Sequence, residues 1–445
     1  MKLFNQLFNN KLNFFDNSSL LLFSILPISI IAGNASININ IFLIDLIFLI
    51  YCFKFNEWRW LKRDIFLYLM ALYVFLNLNS LYSYFILFEN QTTPFWLNGD
   101  LIFYNKDIVL KFYENDGIKR SFLFIKFVLL VFAFSTLLRD NKILSLVHKI
   151  WFFIITVTIF DVFFEKFIGR NIVGNISLDG TRIVSFFKDE MVVGGFIFCF
   201  GYASTTYFIN NNNKTKSTLA VMLIFLLVPL SIFITGEKSN FIKSILLFFI
   251  IIYYFYHYKH NINYKILLAS VFFLISFFII FSKDTRIKYS ETYDRVKAAE
   301  GSKNVLQNIR YFAHYDVALK IFKNYPITGI GNKNFRIECY KKKYFDAERK
   351  LPHIGCITHP HQVHFEILSE QGILGYILVL FIIIWFSVKN FKIALKNKNV
   401  YHLSNTAYLL IFFIPLLPGG GIFSTFNGIL FWMIFSLVNL NYEKK

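Results

Sequence analysis

Long apolar runs recur along this chain, and they constrain its fold more than any other feature of the sequence. An α-helix needs ~20 consecutive apolar residues to cross a bilayer. The first and eleventh of twelve such runs are short for a span, and the last two meet in a Pro-Gly-Gly-Gly stretch, so we predict ten to twelve spans. The twelve runs lie near residues 19–33, 37–53, 65–88, 121–138, 150–164, 191–209, 218–235, 240–256, 266–282, 365–388, 405–418 and 421–440.

The composition agrees with a protein that is solvated mainly by lipid. Of the 445 residues, 56% are hydrophobic and 16% are charged, whereas a typical soluble domain has ~25% charged residues. A soluble chain of this size would need more polar residues to cover its surface. The composition therefore excludes an ordinary soluble enzyme, a disordered chain and a disulfide-rich secreted module. We predict an all-α, polytopic integral membrane protein with about 12 transmembrane helices and one large loop.

The positive charges predict how the chain is oriented in the membrane. If the N-terminus lies inside, every short inside segment carries at least two Lys or Arg residues, and the short outer turns carry almost none, as the positive-inside rule requires. This orientation predicts nine helices within residues 1–282, one large outer loop at 283–364 and three helices within 365–445. In a bacterium, the chain would lie in the inner membrane with this loop in the periplasm.

The net charge of +19 therefore has uses other than binding nucleic acid. Cations on a membrane protein hold loops on the cytoplasmic side or bind an anionic substrate that is linked to a lipid. The outer loop at 283–364 contains many Lys and Arg residues and five of the nine His residues. We expect membrane lipids and an anionic substrate as partners, and no nucleic acid.

Two motifs stand within and beside the predicted outer loop. The first begins at His361-Gln362 and continues, after nine residues, with Gly372, two residues and Gly375. Glu370 and Gly372 form a Glu-x-Gly triplet at the head of the tenth predicted span. The second motif is Arg310 followed by residues 326–331, Pro-Ile-Thr-Gly-Ile-Gly, and then Phe335. The spacing of apolar residues predicts a helix over 308–325, which ends before the proline.

Two shorter patches lie upstream. Residues 235–238 read Thr-Gly-Glu-Lys in a predicted outer turn, and Asp189-Glu190 is followed by Gly194 and Gly195. Together, the motifs over about 180–376 resemble the O-antigen ligase/polymerase superfamily. The chain departs from the pattern at Lys238, where the family has Arg. Lysine keeps the charge but loses the bidentate fork of arginine.

The resemblance implies a glycosyltransferase that takes a glycan from a polyprenyl-diphosphate carrier and needs no cofactor and no metal. The donor would be an undecaprenyl-diphosphate-linked glycan, and the acceptor a hydroxyl of lipid A-core or of a lipid-linked glycan. Arg310 and Lys238 would stabilise the departing diphosphate. His361 would take or orient the proton of the acceptor hydroxyl. As possible supporting residues we consider Arg182, His359, Gln362 and Glu370.

Simpler interpretations compete with each of these assignments. Without the motif, His361 would be a residue of a helix-capping loop and Arg310 a surface cation. Lys238 could extend from a helix end into the headgroup region, and Glu370 could be a structural partner of a cation. The spacing of His353, His359 and His364 around Cys356 fits no standard zinc pattern.

The four cysteines fall into two groups. Cys52 and Cys199 lie in predicted spans and should behave as small hydrophobic residues. Cys339 and Cys356 lie in the predicted periplasmic loop, where disulfides persist. They either pair or remain free thiols.

Several functions share this pattern. A ligase transfers a finished glycan to lipid A-core, a polymerase joins repeat units that are both on carriers, and a third branch transfers glycans to proteins. From a different class, a polysaccharide transporter or flippase would also have many spans. A transporter should carry charges at mid-membrane, whereas the charges of this chain gather in the outer loops.

Overall fold

The computed structural model describes most of the chain. The described residues are 13–87, 93–97, 100–104, 117–176, 182–187, 192–211, 215–258, 263–282, 286–287, 289–290, 297, 310–344 and 355–443. The statements below concern these residues.

The described part of the chain is predominantly helical, as the sequence predicts. One short antiparallel hairpin departs from the all-α class, with β1 (Thr93–Leu97) paired to β2 (Asp100–Tyr104). The helices, in chain order, are α1 (Phe14–Ser24), α2 (Leu26–Ile31), α3 (Asn34–Phe55), α4 (Asp64–Tyr82), α5 (Ile125–Leu137), α6 (Asn141–Ile168), α7 (Val193–Asn211), α8 (Thr215–Thr235), α9 (Lys238–Tyr258), α10 (Tyr264–Phe281), α11 (Arg310–Asn324), α12 (Phe335–Glu338), α13 (Val363–Lys396), α14 (Val400–Phe412) and α15 (Thr425–Glu443).

Local capping explains where the long helix α6 begins and ends. The Asp140 side chain accepts a hydrogen bond from the Lys142 amide at 2.7 Å and so satisfies one of the amides left open in the first turn. At the other end, Gly169 takes the left-handed conformation, and its amide donates to the Glu165 carbonyl at 2.8 Å. These polar caps end the helix on either side of a long apolar segment.

Six helices are long and apolar enough to cross a membrane, which indicates a multi-pass membrane protein. Three shorter apolar helices lie at Ala220–Thr235, Tyr264–Ile280 and Thr425–Leu440. The predicted count of twelve spans is not established, because the first run is divided into α1 and α2 and the eleventh forms only the 13-residue helix α14. The six long helices are Asn34–Phe55, Asp64–Phe85, Gly117–Leu137, Asn141–Ile168, Lys238–Tyr258 and Val363–Lys396.

Helix α7 lies at the centre of the helical body. Nearly every side chain along it is buried, which is typical of a helix that is enclosed on all sides. It packs against α6, α8 and α14. On the periphery, large aromatic residues such as Phe153, Phe272 and Phe273 are exposed. Exposed apolar surface of this extent suits contact with lipid chains.

The predicted outer loop contains a small hydrophobic core of its own. This core lies between α11, α12 and the stretch that follows them. The structure joins Cys339 to Cys356 across it as a disulfide, with the Cα atoms 5.1 Å apart. Oxidation of this pair in the cell remains a prediction. The members of the core are Val317, Ala318, Ile321, Ile330, Phe335, Cys339 and Tyr344.

The predicted orientation can be tested by labelling with a membrane-impermeant thiol reagent in intact cells. Lys323→Cys, on the exposed face of α11, should be labelled, because we predict that 283–364 lies outside. Lys396→Cys, at the exposed end of α13, should be labelled only after the membrane is opened. Cys52 and Cys199 are buried and should add little background. The reverse labelling pattern would contradict the orientation.

Candidate functional site

Helix α13 is broken at Gly372, close to its start. The backbone there has φ 62° and ψ −167°, which is not helical. The break leaves backbone groups on both sides of it without their helical partners, and such groups must find others inside a membrane protein. Segment 326–331, the Pro-Ile-Thr-Gly-Ile-Gly motif, supplies them.

Four backbone hydrogen bonds join segment 326–331 to the broken helix. The amides of residues 373 and 374 donate to the carbonyls of Pro326 and Ile327, at 2.8 and 3.2 Å. The amides of Ile330 and Gly331 donate to the carbonyls of residues 369 and 370, at 3.1 and 2.8 Å. Segment 326–331 of the predicted outer loop therefore satisfies the backbone groups at the break, and the two motifs form one structural unit.

Close backbone approach explains two of the motif glycines. A Cβ atom on Gly372 would overlap the carbonyl oxygen of Ile327. A Cβ atom on Gly329 would lie 2.6 Å from the Gly372 amide nitrogen. Both glycines also have positive φ, which other residues adopt only with strain. Glu370 lies beside this contact, and its Oε1 accepts a hydrogen bond from the Phe335 amide at 3.4 Å. Glu370 therefore contacts the start of α12, and a structural role for it stays a prediction.

A buried ion pair lies next to the broken helix. Lys333 Nζ is 2.5 Å from Glu366 Oε1, and the two side chains are only 4% and 1% exposed. Removing one member of such a pair typically costs about 3–5 kcal/mol, because a buried charge loses its partner. Sequence reasoning did not identify this pair. The sequence feature that points to it is the carboxylate of Glu366, which lies one turn before Glu370 in the first turn of an apolar helix.

His361 lies just before α13, among aromatic and imidazole side chains. Its φ is 56°, a left-handed conformation that is uncommon for a residue other than glycine. The centroid of its ring is 4.2 Å from that of His359 and 5.7 Å from those of Tyr311 and His314. Strained backbone of this kind concentrates at functional sites.

The environment of His359 favours its neutral form. Burial lowers the pKa of His359, and the positive charges of Lys333 and Arg336 lower it further, while the charge of Glu366 acts in the opposite direction. The lowered pKa favours the neutral imidazole of His359 beside His361.

Gln362 fixes the start of α13 immediately after His361. Its Oε1 accepts hydrogen bonds from the amides of His364 and Phe365, at 2.7 and 3.2 Å, so Gln362 is the N-cap. The His364 ring bridges the Tyr376 hydroxyl at 3.0 Å and the Phe413 carbonyl at 2.6 Å. Gln362 and His364 therefore hold the helix in place beside His361.

The Thr-Gly-Glu-Lys turn is held by its glutamate. The Glu237 carboxylate accepts hydrogen bonds from the amides of Gly194 and Gly195, at 2.6 and 3.2 Å, and from the Asn240 side chain at 2.6 Å. Burial raises the pKa of Glu237, and the hydrogen bonds and the positive charge of Arg182 oppose this rise. Arg182 thus lies near the turn. The residues 189 and 190 of the neighbouring patch lie outside the described residues.

Two lysines follow on helix α9. Lys238, the first residue of the helix, has its Nζ 5.5 Å from the centroid of the Tyr289 ring. Lys243 is 3% exposed, and its Nζ lies 5.4 Å from the centroid of the Phe412 ring. In the described part of the chain, Lys243 makes no ion pair. Sequence reasoning missed Lys243 because it lies inside an apolar run.

A glycine-rich loop at 418–421 connects this turn to His361. The amide of Gly419 donates to the carbonyl of His361 at 2.7 Å, and the Ser239 hydroxyl donates to the carbonyl of Pro418. Gly419 also lies against the Lys243 amine, and Gly421 against the Glu366 carboxylate. The loop therefore brings the start of α9, His361 and the buried ion pair together.

Arg310 is only partly described by the structure. It is the first residue of α11, but its side chain lies outside the described residues. The next residue, Tyr311, contacts the His361 ring, so the backbone of Arg310 lies close to the histidine cluster. His353 also lies outside the described residues. Among those that are described, no group of three or more His, Cys, Asp or Glu side chains is arranged to hold a metal ion.

Comparison with known families confirms the resemblance that the motifs predict. Residues 220–380 match the family described as O-antigen ligase. This range includes Lys238, Arg310, His361 and both members of the buried ion pair. No curated protein matches the chain. The similarity points to a membrane glycan transferase of the ligase or polymerase type.

Replacing Gly372 should weaken the contact between segment 326–331 and the broken helix. We expect Gly372→Ala to destabilise the protein by roughly 1–3 kcal/mol from backbone strain alone, and by more if the overlap with Ile327 displaces the segment. Thermal unfolding in detergent measures this effect. Leu374→Ala is the matched control, because Leu374 is 51% exposed. Equal melting temperatures for the two variants would contradict the account.

Proposed function

We propose that this chain is an O-antigen ligase-like membrane glycosyltransferase. It would move a glycan from a polyprenyl-diphosphate carrier to a hydroxyl of lipid A-core, at the periplasmic face of the bacterial inner membrane. One observation carries the proposal: His361, the start of α9 and the buried ion pair meet at loop 418–421, and all three lie within the range that matches the O-antigen ligase family.

The surroundings of His361 suit general base chemistry. A neutral imidazole can accept the proton of an acceptor hydroxyl as the new glycosidic bond forms. His361 is half-buried, and burial lowers the pKa of the neighbouring His359, which favours the neutral form of that imidazole. The proton that His361 takes would then be returned to solvent.

The cations near loop 418–421 suit a diphosphate leaving group. Negative charge grows on the diphosphate as the glycan departs, and fixed positive charges that are shielded from water stabilise it. Lys243 lies against the loop, and Lys238 is the residue before Ser239, which bonds to the loop. Arg310 is the first residue of α11, whose next residue, Tyr311, contacts the His361 ring. Glu237 is held by backbone amides of α7, which offset the negative charge of its carboxylate.

The buried ion pair would act by positioning. Lys333 is held by Glu366, which also packs against Gly421 of the loop. The pair therefore links the stretch just after segment 326–331 to α13 and to loop 418–421. Gln362 and Glu370 would serve the same purpose through the helix cap and the helix break.

Polymerisation of repeat units by the same chemistry is the second candidate, and transport of a polysaccharide is a distant third. The glycan profile of a deletion strain separates them. Loss of all capped lipopolysaccharide, with carrier-linked polymer accumulating, would identify a ligase. Caps of a single repeat unit would identify a polymerase. Accumulation of the carrier-linked glycan on the cytoplasmic side would identify a flippase and would exclude both transferases.

We expect His361→Ala to lower turnover by about 10²–10⁴-fold, the usual range for loss of a general base. The variant should still fold and bind carrier-linked glycan. The assay is transfer from purified carrier-linked glycan in detergent or nanodiscs. His257→Ala, an exposed histidine at the far end of α9, is the matched control and should retain normal transfer. Near-normal turnover in His361→Ala would show that the histidine is not the base.

Substitutions at Lys238 should distinguish a need for positive charge from a need for the bidentate fork of arginine. Lys238→Arg should preserve or raise transfer, because Arg restores the family residue and its bidentate fork. Lys238→Ala should abolish transfer. Full activity in Lys238→Ala would leave this lysine as a cation that only extends towards the headgroups.

Replacing Lys243 should affect stability and activity in opposite directions. Lys243→Met removes a buried charge that has no ion-pair partner among the described residues, so the melting temperature should stay equal or rise. Transfer should fall, and the concentration of carrier needed for half-maximal rate should increase. Unchanged kinetics together with raised stability would remove Lys243 from the site.

A further inference from the structure

A cavity of about 200 Å³ lies apart from the residues discussed above. It is bounded by the start of α3, by residues 119–127 at and before the start of α5, and by the start of α15. Its walls contain none of the candidate site residues. By volume it could hold a phosphate group, since a cavity of about 150 Å³ in another protein accommodates benzene.

The walls of this cavity are strongly cationic. Lys119, Arg120 and Lys126 line it, and no acidic residue is among the residues that do. Lys126 Nζ bonds to Asn38 Oδ1 at 2.6 Å, and the charges of Arg120 and Lys126 repel each other. Asp45, further along α3, offsets part of the Lys126 charge but does not line the cavity. Like charges gathered in this way are stabilised when an anion binds between them.

Helix ends add to the positive potential. Helix α3 begins at the cavity with Asn34, and no side chain caps its first turn. Helix α15 begins there with Thr425. The amino ends of helices carry partial positive charge and open amide groups, both of which favour anions.

The remaining walls are apolar and continue into the outer surface of the helical body. Leu123, Phe124, Phe127 and Phe423 line the cavity. Leu123 is 41% exposed, and Phe122 beside it is 61% exposed. Two of the long apolar helices, Asn34–Phe55 and Gly117–Leu137, begin here, so the cavity lies at the depth where an apolar span meets the headgroups. A ligand with a phosphate and acyl chains would match both kinds of wall.

We propose that this cavity binds the phosphate group of an anionic lipid. The lipid phosphate would lie between Lys119, Arg120 and Lys126, with its acyl chains along the surface around Phe122. The phosphate could belong to a bulk phospholipid or to a phosphorylated glycolipid. The proposal does not rest on the transferase function, because its test measures binding and not turnover.

Native mass spectrometry of the full-length protein in detergent tests the proposal. The probes are phosphatidylglycerol and phosphatidylcholine with identical acyl chains. We expect wild-type protein to prefer phosphatidylglycerol, and the double variant Lys119→Gln/Arg120→Gln to bind it about 10- to 30-fold more weakly. The matched control is Arg139→Gln/Lys142→Gln, which removes two exposed cations beyond the opposite end of α5, one in the turn that follows it and one in the first turn of α6, and should bind normally.

Competition separates the two sources of phosphate. If diphosphoryl lipid A displaces phosphatidylglycerol from wild type more readily than from the double variant, the phosphate belongs to a glycolipid. If phosphatidylglycerol is retained, the phosphate belongs to a bulk phospholipid. Either result supports the proposal. Equal affinity for the two phospholipids, or equal weakening in the control variant, would overturn it.

Discussion

A helix that breaks inside a membrane protein leaves backbone hydrogen bonds open, and the arrangement of the candidate site depends on how those bonds are satisfied here. At Gly372 the break is filled by segment 326–331, which donates two hydrogen bonds and accepts two. The Asn79 side chain on α4 adds another, to the carbonyl of Glu370 at 3.1 Å. Unsatisfied backbone groups at membrane depth are costly. Segment 326–331 is therefore fixed by backbone hydrogen bonds to the start of α13, the helix that follows His361, and α4 bonds to the same break.

A buried ion pair adds a second connection to these backbone hydrogen bonds. The Lys333–Glu366 pair is almost wholly enclosed, and its carboxylate packs against loop 418–421, which also contacts His361 and α9. In the proposed function this loop is the shared wall between the base and the cations that hold the diphosphate. Lys243, whose described contacts include an aromatic ring but no acid, fits a site in which the substrate provides the missing negative charge.

Much of this arrangement could be predicted from sequence, because apolar runs and motif spacing are local patterns. The runs predict the multi-pass architecture, and the motif around His361 predicts the family match over 220–380. Pairings between distant segments leave no such pattern. Lys333 and Glu366 are 33 positions apart, and each resembles an ordinary charged residue in isolation. Lys243 is hidden in an apolar run, and the interruption between α1 and α2 cannot be distinguished from a continuous span by hydropathy alone.

A cryo-electron microscopy structure with undecaprenyl diphosphate bound tests the central claim most directly. The account predicts density for the diphosphate at loop 418–421, within contact of Lys238 or Lys243, with the His361 ring on the side of the terminal phosphate where the glycan and the acceptor hydroxyl would lie. Diphosphate density elsewhere, for example between Lys119 and Lys126, with loop 418–421 empty, would contradict the proposed transferase site.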